Sequence, residues 1–350
     1  MRAIVFHGKQ TLKHEHVPDP RIEAPTDVIV KVHLCGICGS DLHPYHEREK
    51  GLDAGTVMGH EFVGEIAETG RDVRSLKPGE VVASPFTTNC GRCFFCRTGL
   101  TSRCEKGQLF GWRQGGVGLH GGQAEYVRVP LAETTLLPVP KGVSSEDALL
   151  LGDVFATGYF CAEMAEVKPD GIYAVLGCGP VGLMAVVAAR ELGAEHLYAV
   201  DAVPSRLRLA EHFGAMTLNF EQGDVVAALR DATSGRGVDA VLEAVGSPEA
   251  GQTAFELVRP GGVIATVGVH TEARMAFTPT QAYDKNLTYR TGRCPARSYM
   301  NRLLPLLQMG KYDLAAIISH RLPLAQGVEA YRIFDQKSKD CIKVVLNPDA

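Results

Sequence analysis

Long apolar runs are missing from this chain. The most apolar stretch, residues 183–189, is far shorter than the ~20 residues that cross a bilayer, so no membrane association is expected. Blocks of like charge are missing as well. Lys and Arg number 36 against 40 Asp and Glu, for a formal charge of -4. A mildly acidic chain without a basic block carries no electrostatic footprint for nucleic acid. The opening MRAIVFHGKQ lacks the apolar core of a secretory leader, and the chain reads as cytoplasmic. No repeat or low-complexity tract is visible. With 45% hydrophobic and 22% charged residues, the composition is that of a folded globular protein. Its 350 residues are long for one core and comfortable for two domains. Tryptophan is nearly absent: Trp112 is the single copy.

Cysteine, by contrast, is plentiful. In a reducing compartment, clustered thiols point to metal or catalysis rather than disulfides. Four of the ten fall in one 15-residue loop, as Cys90-x-x-Cys93-x-x-Cys96 and then Cys104. Gly91 and Gly99 give that loop room to wrap. Four thiolates suit a closed tetrahedral zinc, which has no open position and is therefore structural. An iron–sulfur cluster uses the same ligand count. Cys35 and Cys38 form a further Cys-x-x-Cys, in which Cys35 reads as a small packed residue.

Chain character changes near residue 155. Before it, short β-type runs at 28–34, 61–69, 80–84 and 124–129 are separated by Gly and Pro. Ser144 followed by Glu146 and Asp147 marks a helix start. After residue 155, strands at 172–176, 196–200, 238–243 and 263–268 alternate with helices at 181–192, 205–213 and 250–258. That rhythm predicts a doubly wound parallel sheet, an α/β fold. Beyond about 293 the rhythm stops, with β-type runs at 322–324 and 342–346. The expected organisation is one irregular β-rich domain from 1–154 and 293–350, and a Rossmann domain over 155–292.

Gly177-Cys178-Gly179-Pro180-Val181-Gly182 is a G-x-G-x-x-G between a strand and a helix. In that context Gly177 and Gly179 allow a tight turn and close approach to a pyrophosphate, and Gly182 lets helix pack on strand. The helix N-terminus then offers N–H groups and a positive dipole end. Asp201 stands 19 residues after Gly182, at the end of the next strand. An acid there accepts the adenosine ribose hydroxyls and repels a 2′-phosphate, which favours NAD over NADP. Arg206, nearby, is the feature that relaxes this preference.

Cys35-Gly-Ile-Cys38-Gly39-Ser40-Asp41-Leu42-His43, Gly59-His60-Glu61, the four-cysteine lobe, Gly152-Asp153 and the glycine fingerprint follow one another in this order. Together they resemble the bacterial, NAD-dependent zinc-containing medium-chain alcohol dehydrogenase family across essentially the whole chain. The resemblance implies a GroES-like β-rich catalytic domain beside the Rossmann domain, and two zincs per chain. It unites Cys38, His60 and Asp153 as ligands of a catalytic zinc, with Glu61 as an alternating ligand and Asp41 bracing His60. Ser40 and His43 match the proton-relay positions, Thr157 a residue beside the nicotinamide, and Lys343 a basic position near the pyrophosphate. The sequence departs from the Cys₂His ligand set at Asp153, a harder donor than thiolate.

The reaction so implied is reversible hydride transfer between primary or secondary alcohols and NAD, giving aldehydes or ketones. Zinc supplies Lewis acidity and the cofactor supplies the hydride chemistry. Asp153 and the stretch Gly121-Gly122-Gln123-Ala124-Glu125-Tyr126 are also similar to formaldehyde dehydrogenases and aldehyde dismutases. A zinc-free binding or structural relative is disfavoured, because the ligands and relay residues are all present. Phe86, Trp112 and Cys294 are candidates to line a substrate cleft between the domains. The expected partners are a small alcohol or carbonyl compound and further copies of the chain, in a homotetramer or a dimer.

Overall fold

The computed structural model describes residues 1–350, and they form two compact units. The first comprises Met1–Ala156 with Pro295–Ala350; the second is Thr157–Cys294.

The first unit is the GroES-like β-rich body. Its largest sheet runs in the order Leu137–Pro138, Val81–Ala83, Phe62–Thr69, Val28–Ile37, Lys343–Asn347 and Ile318–Pro323, with Tyr126–Val129 also paired to Val28–Ile37. β-Branched residues dominate the central strand, where Val28, Val30, Val32 and Ile37 are fully buried. They pack with Phe62, Ile66, Val82, Tyr331, Val344 and Leu346 into one core. The long strand Val28–Ile37 lies antiparallel to Phe62–Thr69, with Cys35 opposite Phe62. Phe62–Thr69 lies antiparallel to Val81–Ala83, with Val63 opposite Ala83. This register brings the end of one strand, the start of the next and the end of the third to one edge.

The segment beyond 293 is less β-rich than its sequence suggests. It returns two strands to the first unit, but it also forms the helices Ala296–Gln308 and Gly327–Asp335. Pro305 lies inside the first of these and masks it in the sequence, since proline removes a helix hydrogen bond.

The second unit is a six-stranded parallel sheet. Its strands are β1 (Ile172–Leu176), β2 (His196–Asp201), β3 (Met216–Asn219), β4 (Val238–Glu243), β5 (Val258–Thr266) and β6 (Thr288–Thr291). Their spatial order is 3-2-1-4-5-6, the doubly wound Rossmann arrangement. Buried Val, Ala and Leu fill β1, β2 and β4, as expected for strands covered on both faces. The first helix, Pro180–Glu191, follows β1 directly. No helix in the chain is long and apolar enough to cross a membrane.

Candidate active site

The edge described above explains how residues 115 positions apart meet. Cys38 follows the end of Val28–Ile37, while His60 and Glu61 precede Phe62–Thr69. The Gly36 N–H donates to the Glu61 carbonyl at 3.0 Å and ties the two chain segments together. Asp153 joins them from the junction between helices Ser145–Leu151 and Val154–Met164. Gly152 makes this possible: a side chain there would strike the carbonyl of Ser84, just past Val81–Ala83. The Ser145–Leu151 helix starts where the sequence places it, with Ser144 Oγ accepting the Asp147 N–H at 3.0 Å.

Cys38, His60, Glu61 and Asp153 each turn one ligand atom to a common point, all within 4.8 Å of one another. His60 Nε2 lies 3.3 Å from Asp153 Oδ2, and Cys38 Sγ lies 3.4 Å from the same oxygen. Ser40 Oγ is 3.3 Å from both Cys38 Sγ and His60 Nε2. The other ring nitrogen of His60, Nδ1, meets Asp41 Oδ1 at 3.2 Å. Asp41 thus fixes the tautomer that leaves the Nε2 lone pair facing the cluster. The Phe86 ring stands edge-on to His60 at 6.3 Å and shields it.

Charge in this cluster is unbalanced without a cation. Burial pushes the Cys38 thiol up, and the Asp153 charge adds to the effect. Burial alone lowers His60, but Asp41 and Asp153 override it and hold the ring well above its usual value. Burial raises the Glu61 carboxyl to about 7, against the opposing pull of Lys343. Glu61 Oε1 is buried with no hydrogen-bond partner. A soft S, a borderline N and hard O donors around an orphaned oxygen fit a zinc ion.

Lys343 makes a contact that its sequence position does not announce. It is fully buried in its strand. Its ammonium bonds to Glu61 Oε2 and donates to the Ile37 carbonyl at 3.0 Å. The strand Lys343–Asn347 pairs with the end of Val28–Ile37, which drives the side chain beneath the cluster. It neutralises Glu61 there.

Two residues around Asp41 were not marked by any motif role. Gln123, fully buried, donates through Nε2 to the Gly36 carbonyl at 2.9 Å and to Asp41 Oδ2 at 3.4 Å. Its Oε1 accepts the hydroxyl of buried Tyr331 at 2.9 Å. A chain of contacts thus runs from Tyr331 through Gln123 and Asp41 to His60. The Gly121-Gly122-Gln123 stretch carries the signal for the first; nothing local flags Tyr331. Cys35, as expected, packs away from the cluster with Sγ toward the Leu346 carbonyl.

His43 lies on the short helix Leu42–Tyr45, where its Nδ1 is buried without a partner. Burial and then the Arg48 charge lower its pKa. Trp112 sits on the hairpin of Trp112–Gln114 and Val117–Leu119. Cys294 is buried at the end of the second unit, and Thr157 is partly buried at its start.

Cys90, Cys93, Cys96 and Cys104 likewise converge within 4.8 Å. Gly91 and Gly99 take φ of +69° and +86°, a conformation that favours glycine and lets the loop wrap. The Cys90 N–H donates to Cys104 Sγ at 3.1 Å. The backbone amides of Cys96 and Glu105 draw Cys93 down to about 6, while burial pushes Cys96 up to about 12. Four thiols so divided become four thiolates only around a cation. The two clusters are candidate zinc sites, the four-cysteine one structural and the Cys38 one catalytic.

In the second unit, Gly177 has φ +85° and Gly179 caps the helix that begins at Pro180 and Val181. A side chain on Gly182 would strike the Gly177 carbonyl, so the close helix–strand contact requires glycine. Asp201 Oδ2 accepts the Cys178 N–H at 2.7 Å, which sets the acid beside the fingerprint. Arg206 Nη1 lies 4.0 Å from Asp201 Oδ2, and the same guanidinium sits next to Gly179.

Comparison with known proteins agrees with this geometry. Residues 24–141 match the alcohol dehydrogenase GroES-like domain, and residues 180–309 match the zinc-binding dehydrogenase family. Zinc-type alcohol dehydrogenase B of Aspergillus flavus is 43% identical over 96% of this chain and 79% of its own. The NADP-dependent isopropanol dehydrogenase of Thermoanaerobacter brockii is 33% identical over 98% of both chains. The solved alcohol dehydrogenase TADH from Thermus sp. ATN1 superposes with a TM-score of 0.92 at 39% identity, covering 99% of both chains. The chain belongs to the zinc-containing medium-chain alcohol dehydrogenase family.

Proposed function

We propose that this protein is an NAD-linked dehydrogenase that transfers hydride reversibly between a primary or secondary alcohol and the nicotinamide, at a zinc held by Cys38, His60 and Asp153. The convergence of those three donors, beside Ser40 and the orphaned Glu61 oxygen, carries the reading. Zinc, when bound, supplies Lewis acidity to the substrate oxygen, and NAD accepts the hydride. Glu61, backed by Lys343, serves as a reserve ligand.

The chain's own residues handle the proton. Ser40 Oγ stands against the ligand atoms, where it takes the proton of a substrate hydroxyl. His43 is the relay acceptor further toward solvent: burial and the Arg48 charge lower its pKa, which favours the neutral ring that can take a proton. Asp41 holds His60 in place throughout, and Phe86 keeps water from that side.

Asp201 supports NAD as the cofactor, since its carboxylate repels a 2′-phosphate. Arg206 is the group through which a 2′-phosphate gains a foothold. The test is steady-state turnover of a panel of primary, secondary and polyhydroxy alcohols with added NAD, added NADP and neither. Reduction of added NAD with simple alcohols supports the reading. Turnover of aldehyde without added cofactor points instead to a dismutase with tightly held NAD.

A further inference from the structure

Glu243 ends β4 and is fully buried. It stands opposite Leu176, the last residue of β1, and opposite Thr266 on β5. Strands β1 and β4 are where the order 3-2-1-4-5-6 changes direction, and ligands of doubly wound sheets bind in the crevice beyond the strand ends at that point. Glu243 Oε1 accepts the Val245 and Gly246 N–H groups, both at 2.7 Å. Its carbonyl accepts those of Val267 at 3.0 Å and Gly268 at 3.2 Å. Its remaining oxygen, Oε2, lies 3.1 Å from Nε2 of His270.

One side chain therefore organises two loops, 244–247 and 267–270. They touch closely: a side chain on Gly268 would strike Gly246, and one on Gly246, with φ +80°, would strike Val269. The first loop also packs on the fingerprint, where a side chain on Gly177 would meet Val245. Val245 and Val269 are 49% and 48% exposed, an apolar pair on the rim beside the phosphate-binding turn.

We propose that His270 is a positioning residue for dinucleotide binding, which as the imidazolium partner of buried Glu243 locks these two loops into the wall beside the glycine fingerprint. The inference rests on the reading that the second unit binds a nicotinamide dinucleotide. The hydrogen bond to Glu243 raises His270 above its usual value, despite an opposing effect of partial burial. Two acids face the ring, Glu243 from β4 and Glu272 from its own loop. The helix Pro248–Leu257 meets it at Gly251, which is uncharged. The ion pair is present below the raised pKa and is lost as pH rises through it. The carboxylate then keeps its amide donors but loses its counter-charge, and the loops loosen.

Fluorescence titration of the zinc-loaded enzyme with NADH, and with NADPH in parallel, tests this between about pH 6 and about pH 9.5, from below the ordinary histidine value to well above it. His270→Gln and Glu243→Gln keep hydrogen-bonding capacity and remove the ion pair. At the acid end each should bind the dinucleotide about tenfold more weakly than wild type, the scale of one charge-assisted hydrogen bond. All three curves should converge at the alkaline end, and the double variant should be no weaker than either single one. Variants that reproduce the wild-type affinity at every pH overturn the role of the pair. Wild type that binds neither dinucleotide overturns the underlying reading instead. If Glu243→Gln fails to fold, His270→Gln decides alone, since its ring is 29% exposed and tolerates the change.

Discussion

Asp41 is the residue on which the catalytic cluster turns, because it fixes His60 and is itself held by Gln123 and the Cys38 N–H. Replacing Gln123 with Leu takes the acceptor from the Tyr331 hydroxyl and a donor from the Gly36 carbonyl inside the core, and leaves Asp41 Oδ2 with the Cys38 N–H alone. Each such loss costs about 1–3 kcal/mol. Gln123→Leu should lower thermal stability and release the catalytic zinc about 10-fold more readily to a chelator, the usual scale for outer-shell loss. Gln123→Glu still accepts from Tyr331 but turns a carboxylate oxygen toward the Gly36 carbonyl and Asp41 Oδ2, so it should not recover that stability. His43 gives a second prediction at this scale. Burial lowers its pKa, so the ring accepts protons at neutral pH and stops doing so as pH falls through that lowered value. Alcohol oxidation by wild type should therefore decline on the acid side, and His43→Ala should be slower with that decline flattened. A kcat profile identical to wild type removes His43 from the relay.

At the scale of elements, the lobe of residues 90–104 is held by its own thiols and two left-handed glycines rather than by a large apolar core. Cys93→Ala should drop zinc content from two per chain to one and lower the melting temperature. Retained thermal stability with loss of turnover alone would contradict a structural role. The lobe and the fingerprint were both legible in the sequence because each lies in a few consecutive residues with fixed spacing. The catalytic cluster was not legible from spacing. It depends on strand register, Cys35 against Phe62 and Val63 against Ala83, and only the family resemblance named its members in advance. The contact of Lys343 with Glu61 was hidden for a related reason: the sequence shows a basic residue, while the pairing of its strand decides that it points inward. β5 was read short because Pro260, Gly261 and Gly262 look like a turn. In the sheet they form an irregularity that the parallel pairing spans, from Val258 to Thr266.

For the whole molecule, two local sites in the first unit and one dinucleotide fold in the second make a consistent dehydrogenase. β6 lies at the edge of its sheet with unpaired backbone groups on one side, and Tyr283 and Met275 are 82% and 56% exposed nearby. We propose that further copies of the chain assemble with it, as a homotetramer or a dimer, and light scattering should give a mass about four or about two times 37.7 kDa. A monomeric mass would contradict it. The most direct measurement combines metal analysis with turnover. The purified enzyme should hold about two zincs per chain, one closed and one open site. Brief chelation should remove the zinc of the open, three-ligand site, abolish alcohol-dependent reduction of NAD and leave the melting temperature little changed, and added zinc should restore the activity. Full turnover after the Cys38, His60 and Asp153 site has been stripped would contradict the account.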